Sequence, residues 1–74
     1  MQETGIYMTE RGMLAYNTAK HLLEKGGTVE ELKRVRGELI QEIIRLRRPG
    51  RDRHEGVRLL AVMLGNVERS LRER

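Results

Sequence analysis

The chain has 74 residues, of which 15 are Lys or Arg and 11 are Asp or Glu, so its formal net charge is +4. A chain of this length forms one domain, and the absence of cysteine excludes disulfides, a cysteine-based zinc site and a thiol nucleophile. No apolar stretch approaches the roughly 20 residues that span a bilayer, and the N-terminus lacks the basic-then-apolar pattern of a signal peptide. We therefore expect a cytoplasmic protein that does not contact a membrane.

The residues before the first predicted helix form a separate N-terminal segment. The stretch from Thr4 to Met8 is mildly β-like. Residues 1–8 are therefore compatible with an extended arm, with a strand that pairs with a partner chain, or with a flexible tail. We expect an N-terminal arm at 1–8 and a single helical domain at 9–74.

The first predicted helix covers about residues 9–25. Thr9 is a suitable N-cap, because its hydroxyl can accept a hydrogen bond from a backbone N–H of the first turn. Apolar residues then recur at the spacing of an α-helix, at Met13, Tyr16, Ala19 and Leu23. The glycines at 26 and 27 follow this stripe and are typical of a helix C-terminus.

The second predicted helix covers about residues 29–47 and has the clearest start in the chain. Thr28 and Glu31 match a capping box, in which each side chain accepts a hydrogen bond from the other residue's backbone N–H. Apolar residues repeat at spacings of three and four, with a second row beside them: Leu32, Val35, Leu39, Ile43 and Leu46, then Ile40 and Ile44. Pro49 ends the helix, because a residue before proline avoids helical geometry.

The third predicted helix covers about residues 53–72, and Asp52 is a suitable cap for its start. Its apolar seam consists of Val57, Leu60, Ala61, Leu64, Val67 and Leu71. Leu59, Val62 and Met63 are apolar as well, so that the segment 59–64 is apolar on every side. A helix of that kind is normally buried all round.

These patterns predict an all-α protein of three helices that does not act as a monomer. The second and third predicted helices carry more apolar residues than one buried face holds, and soluble monomers rarely expose such patches. We therefore expect these two helices to form an antiparallel hairpin that packs in a homo-oligomeric bundle, most simply a homodimer. The residues expected at the oligomer interface are Leu39, Ile40, Ile43, Ile44, Leu59, Leu60, Met63, Leu64 and Val67.

The sequence lacks the residue groupings that hydrolytic or acyl-transfer catalysis requires. The only serine is Ser70, and the two histidines, His21 and His54, lie in different predicted helices. Carboxylate pairs such as Glu38 with Glu42 have arginine neighbours, so we expect them on a solvated, salt-bridged face. Because no glycine-rich phosphate loop is present either, we expect a protein that is not an enzyme and uses no cofactor or metal ion.

The positive charge is concentrated between residues 45 and 58. This stretch holds six arginines and two acidic residues, a net charge of +4, whereas the other sixty residues hold nine charges of each sign. The six arginines, which we call the Arg-rich turn, are Arg45, Arg47, Arg48, Arg51, Arg53 and Arg58.

Two interpretations of the Arg-rich turn remain open. Arginine suits phosphate and carboxylate groups, so the turn can contact a nucleic-acid backbone or an acidic protein surface. Alternatively, its first three arginines offset the negative C-terminal end of the second helix, and the rest keep the loop soluble. We expect a homo-oligomeric interaction module or adaptor whose partners are itself and an acidic macromolecule, either protein or nucleic acid. The alternative is a small nucleic-acid-binding regulator that contacts phosphates through this turn.

Overall fold

The computed structural model describes residues 9–47 and 55–74. Within these two ranges the chain is all-α, with no strands, and its three helices are α1 (Glu10–Lys25), α2 (Val29–Leu46) and α3 (Glu55–Arg72). The predicted helices agree with these bounds to within two residues at each end. The expected arm at 1–8 and residues 48–54, which include the predicted cap Asp52, lie outside the described residues.

Side-chain caps fix the starts of α1 and α2, as the sequence predicted. The Gly12 N–H donates to Thr9 Oγ1 at 2.9 Å. The capping box is complete, because the Glu31 N–H donates to Thr28 Oγ1 at 3.1 Å and the Thr28 N–H donates to Glu31 Oε1 at 2.9 Å. Gly26 ends α1 with a φ of 77°, a left-handed conformation that favours glycine.

The core is assembled from one face of each helix. Its buried members from α2 are Leu32, Val35, Leu39 and Leu46, those from α3 are Val57, Leu60, Met63 and Val67, and those from α1 are Ala15 and Ala19. Spacings of three and four bring each set onto one side of its helix. The apolar seams predicted for α2 and α3 are therefore largely the faces that the chain buries.

The buried face of α1 contains the predicted stripe except for its first residue. Ala19 is fully buried, and Tyr16 and Leu23 pack against the core. Met13, in contrast, is 53% exposed and the adjacent Leu14 is 67% exposed, so the prediction was wrong for Met13. The residues of α1 that are buried completely are small ones, Gly12, Ala15 and Ala19.

The apolar segment of α3 is covered on one side within the single chain. Leu60 is fully buried and Met63 nearly so, but Val62 is 64% exposed. Leu59 and Leu64, on the flanks, are half-buried. A three-helix arrangement thus leaves the outer side of α3 uncovered. No helix in the described ranges combines the length and the apolarity that crossing a membrane requires.

Candidate interaction surfaces

A buried carboxylate joins the start of α1 to α2. Glu42 is 4% exposed, and its Oε1 accepts a hydrogen bond from Thr9 Oγ1 at 2.7 Å. Its Oε2 lies 3.7 Å from Arg45 Nε. The expectation of a solvated face was therefore wrong for Glu42, because the Thr9 hydroxyl replaces part of the water that a buried carboxylate loses. The same hydroxyl oxygen caps α1.

Beside this carboxylate lies an open groove of about 570 Å³ between α1 and α2, which we call the α1–α2 groove. Its charged lining has both signs: Arg11, Arg34, Arg45, Glu38 and Glu42. The uncharged lining consists of Leu14, Ala15, Gly37 and Gln41. A Cβ added at Gly37 would meet no atom within 4 Å, so the groove has free space above this glycine.

A second surface lies elsewhere on α2. Ile40 and Ile44 are 37% and 61% exposed, and their spacing of four places them one above the other. Three charged residues of α2 and its C-cap lie three, four or seven positions from Ile40 or Ile44. All three are cationic: Lys33, Arg36 and Arg47. These five residues form what we call the isoleucine face.

Beyond the first turn of α2, its charges are divided between these two surfaces. Glu38 and Glu42 line the α1–α2 groove together with arginines. At 3.6 residues per turn, Glu38 lies roughly 160° around the helix from Ile40. The groove therefore combines charges of both signs with one exposed leucine, whereas the isoleucine face combines apolar side chains with positive charge.

The residues expected at an oligomer interface fall into three groups. Four of them are buried in the chain's own core: Leu39, Leu60, Met63 and Val67. Three are half-buried: Ile43, Leu59 and Leu64. Only Ile40 and Ile44 are exposed, so they are the members that can contact a partner while the core stays intact.

The Arg-rich turn is described in part. Arg45, Arg47 and Arg58 are exposed, and the other three arginines, at 48, 51 and 53, lie outside the described residues. Arg45 lines the α1–α2 groove and approaches Glu42, whereas Arg47, two positions further on, does not line the groove. The described arginines are thus all exposed, and Arg45 is the one among them that lines the groove.

Other kinds of site find little support. Across residues 9–47 and 55–74, no group of three or more His, Asp or Glu side chains is arranged to hold a metal ion. Comparison with protein-family models, curated proteins and solved structures finds no match to this chain. Its function is therefore inferred from these two surfaces.

The double role of Thr9 generates a prediction about stability. Thr9→Ala removes the α1 cap, a loss of about 1 kcal/mol. It also removes a hydrogen bond to a buried carboxylate, which is worth about 1.5–3 kcal/mol. We expect the free energy of unfolding in urea to fall by about 2.5–4 kcal/mol in Thr9→Ala and to be largely kept in Thr9→Ser. Thr18→Ala, at an exposed position of α1, is the matched control. A loss at Thr9 no larger than that at Thr18 would contradict the described contact.

Proposed function

We propose that this protein is a non-enzymatic helical interaction module that self-associates and binds another macromolecule. The observation that carries the proposal is the set of large apolar side chains exposed in the described chain: Met13, Leu14, Ile40, Ile44 and Val62. They lie on all three helices, beside a core of ten buried apolar residues. Adjoining exposed apolar side chains, such as Ile40 and Ile44 one helical turn apart, are typical of interaction sites.

An antiparallel arrangement of α2 and α3 is part of this proposal. It is supported by a hydrogen bond of 2.6 Å that Arg74 Nη1 donates to the Gly27 carbonyl oxygen. Arg74 follows the end of α3, and Gly27 precedes the start of α2. The shared burial of Leu46 at the end of α2 and Val57 near the start of α3 supports the same arrangement.

Self-association is proposed to occur through the α1–α2 groove. Two copies that met at their isoleucine faces would bring like charges together, which is unfavourable. Two copies that met at their grooves could pair Arg11, Arg34 or Arg45 with carboxylates of the other copy. Leu14 projects at the groove and Gly37 leaves space in it, so each copy offers both a side chain to insert and a place to receive one.

The proposed contact is small, so we expect a weak and reversible dimer. Burial of Leu14 in both copies of a two-fold interface favours association. Ion pairs at the rim contribute little, since they stay in contact with water, and the loss of translational and rotational freedom opposes association.

Sedimentation equilibrium tests this proposal. At tens of micromolar we expect a dimer that dissociates measurably on dilution. Gly37→Gln should weaken self-association, because its side chain fills the groove, yet stability should not fall, since glutamine is a better helix former than glycine. Gly65→Gln is the matched control, since Gly65 is a helical glycine of α3 with equal free space and does not line the groove. A monomer at all concentrations, or equal weakening by both substitutions, would contradict the proposal.

Nucleic-acid binding is the second candidate function, and the exposed Arg47 and Arg58, which precede and follow residues 48–54 in the sequence, favour it. Phosphate contacts predict an affinity for a DNA duplex that falls steeply with salt. Arg47→Gln and Arg58→Gln should each reduce the slope of log affinity against log salt concentration by about one. Arg69→Gln, at an exposed position of α3, should not change this slope. Fluorescence titration of a duplex at two salt concentrations measures this, and no binding at low salt would exclude the candidate.

A further inference from the structure

We infer that the isoleucine face of α2 is a docking surface for an acidic amphipathic helical segment of another protein. This inference rests on the proposed function as an interaction module and specifies the partner's chemistry. Apolar side chains of the segment would cover Ile40 and Ile44, and its carboxylates would contact Lys33, Arg36 and Arg47.

The apolar part of the argument is the spacing and exposure of the two isoleucines. Ile40 and Ile44 are one helical turn apart, and Ile44 is the more exposed of the two. Ile43 lies beside them, is half-buried and packs against the core. The two exposed side chains therefore lie on a helix that the core holds in place. A partner helix recognises such a surface with apolar residues at spacings of three and four.

The electrostatic part of the argument is the charge that surrounds the isoleucines. Within the described part of the chain, Lys33, Arg36 and Arg47 form no ion pair with a carboxylate. Their positive charge is therefore available to a partner, and it excludes close contact with a second copy of the same face. Carboxylates on the partner's flanks complement all three cations.

A protein segment fits this surface better than the other anionic partners. A nucleic-acid backbone supplies phosphates but no apolar group to cover isoleucine. Base stacking requires aromatic side chains, and the chain has only Tyr7 and Tyr16, neither of them in α2. Helices that bind a lipid surface insert a long apolar face, whereas this face offers only two apolar side chains.

A synthetic peptide provides the direct test. The probe is a fluorescein-labelled helical peptide with leucines at spacings of three and four and glutamates elsewhere, titrated with the full chain and followed by anisotropy. We expect saturable binding, with one peptide bound per chain. Replacing its leucines by serine, or its glutamates by lysine, should weaken binding by about tenfold or more, because each change removes one of the two contributions.

Substitutions in the protein locate the contact. Ile44→Ser should weaken binding of the acidic peptide by about tenfold, the factor that corresponds to 1.4 kcal/mol. Val62→Ser, at an equally exposed position of α3, should leave it unchanged. Lys33→Gln should weaken binding several-fold at low salt, and Lys20→Gln, at an exposed position of α1, should not.

Three results would overturn the inference. They are no binding of the acidic peptide at low salt, equal binding of its serine-substituted form, and a duplex that binds more tightly than the peptide at the same face. Self-association of the same variants is measured in parallel by sedimentation. If Ile44→Ser loses peptide binding but still dimerises, both proposals stand. If the chain is monomeric but binds the peptide through Ile44, only the groove proposal fails.

Discussion

The small size of the residues that α1 buries completely is the constraint on which the rest of the structure depends. Gly12, Ala15 and Ala19 contribute little volume to the core, so the large buried side chains come from α2 and α3. The same orientation of α1 leaves Met13 and Leu14 in solvent. It also brings Thr9 to Glu42, where one hydroxyl both caps a helix and satisfies a buried carboxylate. Exposed apolar surface is thus a consequence of how this small core is built.

The second organising feature is the separation of charge around α2. Glutamates and arginines share the side that lines the α1–α2 groove, and cations alone surround the exposed isoleucines. A surface with both signs suits a symmetric contact between identical chains, because each charge finds its opposite on the other copy. A surface with one sign suits a different partner. We therefore propose that one helix offers two surfaces of different specificity.

The helix positions and most of the three buried faces could be predicted from the sequence, because caps and apolar periodicity are local. The exposure of Met13 could not, since apolar periodicity does not show where along α1 the covering helices end. The burial of Glu42 depends on Thr9, which lies 33 positions away. Leu39 and Leu60 were assigned to an oligomer interface because apolar spacing does not tell which chain supplies the covering helix. The charge separation around α2, in contrast, is visible in the spacing of Lys33, Arg36 and Glu38.

The central claim is that the two surfaces of α2 serve different contacts, and amide chemical shifts measured by NMR during dilution of the chain test it most directly. The account predicts shifts that depend on concentration at Leu14, Gly37 and Gln41, which line the groove, and constant shifts at Ile40 and Ile44. Adding the acidic peptide to the same sample should then shift the two isoleucines. Shifts at Ile40 and Ile44 on dilution alone, or an unchanged spectrum throughout, would contradict the account.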